Sequence, residues 1–201
     1  MENQLKTTAW SENVIIVDAD YVDGVAFNLI VNFERMIGRR IPQADLPKWI
    51  DCVALDGGIR QGEEQTQVVL VHRKESEKMT NFTPSHYSNE LDAKAFKDHL
   101  GEFVLTALPV EEMVSKDELM LDILQTVCSQ KEVKRVMLIP DVERAELYAQ
   151  IRTALQRVDD DSKRITVFSM QPMPGGNFRQ EILGYSLMSA LGIQAEEIKT
   201  E

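Results

Sequence analysis

The chain has 201 residues, with 22 Lys and Arg against 33 Asp and Glu, so it carries a formal charge of −11 at neutral pH. Its 43% hydrophobic and 27% charged content is ordinary for a globular protein and excludes a wholly disordered chain, a collagen-like repeat or a disulfide scaffold. The acidity also argues against a passive nucleic-acid coat, which needs a basic surface to neutralise phosphates.

The chain alternates strand and helix patterns. Asn13–Asp18 is a short β-branched run and reads as a buried strand. Val22, Val25, Ala26, Leu29, Ile30, Phe33 and Ile37 then keep helical spacing up to Gly38. Asp45 opens a second helix that stops at Gly57-Gly58, and Gln67–His72 is the next strand. Arg73 to Asn89 reads as a long polar loop, Glu90–Leu100 as a helix and Phe103–Leu108 as a strand. Ser115, with Glu118 three residues on, forms a capping box that opens a helix through Cys128. A strand at Arg135–Ile139, a helix at Val142–Arg157 and a strand at Arg164–Ser169 follow. A Pro/Gly loop at Gln171–Gly176 then precedes a last helix from Asn177 to about Leu191.

This order predicts one three-layer α/β/α domain around a mainly parallel sheet of about five strands. Residues 1–12 read as a loose N-terminal arm and 195–201 as a loose acidic tail. No signal-peptide pattern or 20-residue apolar run is present, and Cys52 and Cys128 each fall on an apolar helix side. The expected location is cytoplasmic, with no membrane contact and no disulfide-linked partner.

Ligands of such sheets bind beyond the carboxyl ends of the strands. The first strand ends in Asp18, with Asp20 and Asp23 close behind, and the strand at Arg135–Ile139 runs into Asp141 and Glu143. The helix between strands adds Asp117, Glu118 and Asp122. Crowded carboxylates repel unless a cation lies among them, and Mg²⁺ or Mn²⁺ suits a carboxylate-and-water site. Such an ion can generate hydroxide and stabilise charge on a phosphoryl oxygen. Each acid also has a structural explanation. Asp141 suits a helix N-cap, Asp20 and Asp23 flank a helix start, and Glu118 completes the capping box. Asp18 is the exception, because an unpaired carboxylate on a buried strand is costly. Gly175-Gly176-Asn177, before a predicted helix, is a second candidate as an anion-binding loop. His72, Arg73 and Lys74, which follow the second strand, are candidates to hold a substrate backbone.

The stretches Ser115–Leu124 and Val133–Glu143 together resemble the NYN branch of the PIN-like nucleases, in which a helix-opening Lys/Asp segment precedes an apolar strand that ends in acids. Asp117, Asp122, Asp141 and Glu143 fall on that pattern, and Val14–Asp18 is similar to the family's first strand with its metal-binding acid. The resemblance implies a Rossmann-like sheet and a Mg²⁺ or Mn²⁺ site at Asp18, Asp117, Asp122, Asp141 and Glu143. It also implies endoribonuclease action on RNA, with Asp18 and Asp141 catalytic. The chain departs from the pattern at Tyr21, where Asn is common, at Pro140, where Gly is usual, and at Glu143, where Asp is usual. The alternative reading is therefore a catalytically degenerate domain acting as a protein-interaction or homodimerisation module, with the apolar segment Glu181–Leu191 as its candidate surface.

Overall fold

A computed structural model describes residues 9–62 and 64–198. Its nine strands are β1 (Asn13–Asp18), β2 (Ala44–Asp45), β3 (Gln65–His72), β4 (Phe82–Thr83), β5 (Ala95–Asp98), β6 (Gly101–Pro109), β7 (Arg135–Ile139), β8 (Arg164–Ser169) and β9 (Arg179–Ile182). The helices are α1 (Ala19–Ile37), α2 (Leu46–Asp56), α3 (Lys116–Ser129), α4 (Ala145–Gln156) and α5 (Leu183–Ala190), with a π-turn at Tyr87–Leu91 and a 3₁₀ turn at Ala195–Glu197.

Seven strands form one sheet in the order β5-β6-β3-β1-β7-β8-β9, all parallel except β5, which pairs antiparallel with β6. The parallel strands lie in the order third, second, first, fourth, fifth, sixth, which is the doubly wound Rossmann-like arrangement. The sheet is thus mixed and larger than the expected five strands. The direction of winding reverses between β1 and β7, and the carboxyl ends of those two neighbours mark the crevice where ligands of such sheets bind.

The layers follow from alternation. β1 is buried on both faces, and its residues divide between two cores. Ile15 and Val17 pack with α1, α2 and α5, around Trp49, Ile50, Phe103, Phe168 and Leu187. Val14 and Ile16 pack with α3 and α4, around Ile123, Val127, Leu138, Ile151 and Leu155. A strand covered on both sides reads as continuous apolar sequence, and Asn-Val-Ile-Ile-Val-Asp does so.

The caps behave as their sequences require. Gly38 ends α1 at φ 70°, and the side chains of Asp18, Asp45 and Ser115 cap α1, α2 and α3. Gly101 is at φ 121°, and a Cβ there would strike the Glu64 carbonyl, so this turn needs glycine. Cys52 and Cys128 are both free thiols.

Four expected elements differ. The expected loop Arg73–Asn89 holds β4, which pairs in parallel with β2, and the start of the π-turn. The helix expected over Glu90–Leu100 is replaced by the end of the π-turn and by β5. Asp92 accepts the Ala107 N–H at 2.9 Å, Ala93 turns to φ 56°, and Phe96 stacks on Phe103 at 4.8 Å. Pairing with β6 overrides a strongly helix-forming local sequence. The last helix starts at Leu183 rather than Asn177, because Arg179–Ile182 adds to the edge of β8 as β9. α4 starts at Ala145 rather than Val142, since Asp141–Arg144 is a turn closed by Arg144 N–H on the Asp141 carbonyl at 3.3 Å.

Residues 1–8 of the expected arm and 199–201 of the expected tail lie outside the described residues. The adjoining segments are anchored: Trp10 is buried on the α3/α4 side and Ser11 bonds Gln67, while Glu197 holds Arg39 in a two-pronged ion pair at 2.6 and 2.8 Å. Among the described residues, no helix is long and apolar enough to cross a membrane.

One contact makes the fold sensitive to pH. Asp51 of α2 lies against Asp98 at the end of β5, and burial, then Asp98, then Asp45 push its carboxyl up to about 7. Its folded pKa exceeds the ordinary 3.8, so the folded state holds the proton longer than the unfolded chain does. Stability is therefore lost as pH rises from about 4 to about 7, and the loss is complete above that. Asp51→Asn is expected to melt higher than wild type at about pH 8, the gap closing by about pH 4. Thermal melts across that range check this, and a gap independent of pH would contradict the assignment.

Candidate functional site

The site at the switch point begins with Asp18. It ends the central strand and starts α1 at once, so it is both a strand terminus and a helix N-cap, its Oδ1 accepting the Tyr21 N–H at 3.0 Å. It is 1% exposed. Burial raises its pKa, and the chief opposing effect comes from Lys116. The Lys116 Nζ donates to Asp18 Oδ1 at 2.8 Å and to Asp20 Oδ2 at 3.2 Å. Lys116 is the first residue of α3, and the capping box of Ser115 and Glu118 fixes where that helix starts and so where the lysine stands. The capping box thus positions the cation that neutralises the buried carboxylate.

Asp20 is held from three sides. Its carboxylate accepts the Arg73 N–H at 2.8 Å and the Ser76 hydroxyl at 3.1 Å besides Lys116, and the Arg73 guanidinium stands 3.5 Å away. Burial pushes its pKa up, but Lys116 and these donors outweigh burial and hold it below the ordinary carboxylate range. Asp23 accepts the N–H groups of Thr80 and Asn81 at 3.1 and 2.7 Å. Asp20 and Asp23 together fasten the loop after β3 to the first turns of α1.

The other sequence-derived candidates are spread over several elements. Asp117 pairs with Arg144 at 2.9 Å, joining the starts of α3 and α4. Asp122 is half-buried on α3. Asp141 accepts the Glu143 N–H at 3.2 Å within its own turn, and the N-cap position of α4 belongs to Arg144. The Tyr21 hydroxyl is buried without a partner among the described residues, and burial, then Glu143, Asp141 and Asp18, push its pKa up. Three of the five carboxylates expected to share an ion, Asp18, Asp141 and Glu143, therefore lie near one phenol. Among the described residues, no group of three or more His, Cys, Asp or Glu side chains is arranged to hold a metal.

His72 is buried and stacks flat on Tyr87 with ring centres 3.7 Å apart, its Nδ1–H donating to the Arg73 carbonyl at 2.9 Å. Burial lowers its pKa, which favours the neutral ring. Lys74 pairs with Glu112 at 3.0 Å. Beside them, at the carboxyl ends of β3 and β6, is a cleft of about 610 Å³ lined by His72, Lys74, Ser76, His86, Tyr87 and Asp92, large enough for a small ligand. The Gly175-Gly176-Asn177 loop is elsewhere, over α4. The Gly175 carbonyl accepts from Arg152 at 2.9 Å, the Pro174 carbonyl accepts from Tyr148, and Asn177 precedes a strand rather than a helix. The helix N-terminus needed for the expected anion loop is absent there.

Lys116 and Tyr87 were not among the sequence-derived candidates. The signal for Lys116 was available: a buried Asp18 needs a cation, and Lys116 follows a strong capping serine. Tyr87 had no local signal, because its stacking on His72 joins a loop to a strand.

The fold and site define an α/β domain of Rossmann-like arrangement with an ion-paired carboxylate centre at its switch point. The chain belongs to a family of unknown function, DUF6621, whose model matches residues 7–198. No curated protein and no solved structure shows significant similarity to it.

The ion pair carries a stability prediction. Lys116→Met leaves Asp18 buried without its cation and is expected to cost about 3 kcal/mol, the low end for a broken buried pair because Lys116 is 20% exposed. Asp18→Asn combined with Lys116→Met is expected to recover much of that loss, measured by urea unfolding. A double variant as unstable as the single one would rule out the pair as the cause.

Proposed function

We propose that this chain is a catalytically degenerate PIN-like domain that works as an interaction module rather than as a Mg²⁺- or Mn²⁺-dependent endoribonuclease. The observation that carries this reading is the Lys116 ammonium set between Asp18 and Asp20, where the metal reading requires a divalent ion. With the Arg73 guanidinium 3.5 Å from Asp20, two positive charges balance the two carboxylates, which then have little to gain from a further cation. The position of Asp117 supports the same reading, since it is committed to Arg144. The charge of −11 opposes the approach of RNA at low salt. Tyr185, exposed by 73% on α5, is the most exposed aromatic side chain a partner could use. The segment Glu181–Leu191 contributes less than its composition suggests, since Leu183, Ser186 and Leu187 are buried, with Ser186 accepting from the Trp49 indole at 3.1 Å.

The test is a thermal melt with and without millimolar Mn²⁺, paired with incubation of single-stranded RNA. Wild type is expected to show no Mn²⁺-dependent shift and no cleavage. Lys116→Met, with its two carboxylates released, is expected to be stabilised by Mn²⁺ by several degrees. A wild-type shift that disappears in Asp18→Asn, with Mn²⁺-dependent RNA products, would restore the nuclease reading. Light scattering at high concentration decides whether the partner is a second copy; a strict monomer removes the homodimer form.

A further inference from the structure

The amino-terminal edge of the sheet, opposite the Asp18 centre, gathers arginines. β7, β8 and β9 begin with Arg135, Arg164 and Arg179. Arg135 is in register with Arg164, and Arg179 with Thr166, two residues further along β8. Residues paired across parallel strands share a face, and residues two apart on one strand share it too. All three arginines therefore lie on the face of Met137 and Phe168, the side covered by α1, α2 and α5. The carboxyl-terminal end of α2 stands over them. Arg135 Nη1 donates to the Gly57 carbonyl at 2.7 Å, and Arg60, just past the helix, donates to the carbonyls of Leu55 and Ile59 at 3.0 and 2.8 Å. Burial, then Arg164 and Arg60, lower the pKa of the Arg135 guanidinium, with Arg179 adding to them and Glu64 opposing.

Capping the last carbonyls of α2 accounts for Arg60 and for one nitrogen of Arg135. It does not account for the rest. Arg135 Nε is buried with no hydrogen-bond partner among the described residues, a costly state for a charged donor. Arg164 and Arg179 are exposed, and among the described residues their side chains enter no ion pair. Like charges opposite one another on neighbouring strands are destabilising, and these stand together in a chain of charge −11. Glu64 acts on Arg135, and Glu181 shares β9 with Arg179, yet among the described residues no carboxylate is within ion-pair distance of these arginines.

We infer that this edge is a binding site for a compact, multiply charged phosphate-bearing anion held by Arg60, Arg135, Arg164 and Arg179. Guanidinium forks match phosphate oxygens two at a time, and strands about 4.8 Å apart let neighbouring arginines grip one diphosphate. The exposed guanidinium donors of Arg164 and Arg179 gain acceptors, and the mutual repulsion becomes attraction to a shared ligand. This site does not depend on the Asp18 centre or on how that centre is used.

Inorganic pyrophosphate and ADP, each without metal and at matched ionic strength, serve as probes in thermal melts of the full chain. Pyrophosphate is expected to raise the melting temperature by at least about 5 °C at a hundredfold excess over its dissociation constant. Arg164→Gln with Arg179→Gln, both at exposed positions, is expected to abolish the rise. A charge-matched control, Lys97→Gln with Lys131→Gln, is expected to keep it. An equal response to the two probes makes the site one for the diphosphate group alone, and a larger response to ADP adds nucleoside contacts. No rise with either probe, or a rise that survives the double arginine substitution, overturns the proposal.

Discussion

A carboxylate at the end of a strand buried on both faces has to meet a positive charge, and the region around Asp18 is organised by that demand. The demand is met from far away in sequence. Lys116 reaches Asp18 from the first turn of α3, across 98 positions, and takes in Asp20 on the way. Its reach depends on the start of α3, and that start depends on the reciprocal hydrogen bonds of Ser115 and Glu118. A surface capping box and a buried ion pair are in this sense one device. The same carboxylates also hold backbone: Asp18 caps α1, while Asp20 and Asp23 fasten the loop that follows β3.

The two edges of the sheet differ in electrostatic character. The carboxyl edge collects acids and pairs several of them internally, through Lys116 and Arg73 for Asp18 and Asp20 and through Arg144 for Asp117. The amino edge collects arginines and neutralises them only in part, through the last carbonyls of α2. In a doubly wound sheet the carboxyl edge is where ligands are sought first. Here each edge holds a buried donor without a partner among the described residues, the Tyr21 hydroxyl at the carboxyl edge and Arg135 Nε at the amino edge.

Several sequence readings were accurate because they rest on local rules. The apolar run of β1, the caps at Asp45 and Ser115 and the stop at Gly38 need only a few neighbouring residues, and each is in place. Glu90–Leu100 went the other way because its strand character comes from β6, which outweighs a helix-forming composition. Asn177 failed as a cap for a similar reason, since the open edge of β8 takes up Arg179–Ile182 before any helix begins. Of the site residues, Asp18 was legible because burial of its strand could be read directly. The pairing of Asp117 with Arg144 and the approach of Asp141 and Glu143 to Tyr21 were not, because they depend on where each turn points its side chain.

The sequence by itself determined the alternation of strands and helices, the caps that bound them and the presence of one carboxylate too deeply set to be left alone. These are consequences of periodicity, of backbone hydrogen bonding and of the cost of desolvating charge, all of which act over a few residues. Tertiary structure decided which cation serves Asp18, that β5 and β9 extend the sheet, and that three strand-opening arginines share one face. Each of these depends on strand order and register, which place residues tens of positions apart within a side chain's length of one another.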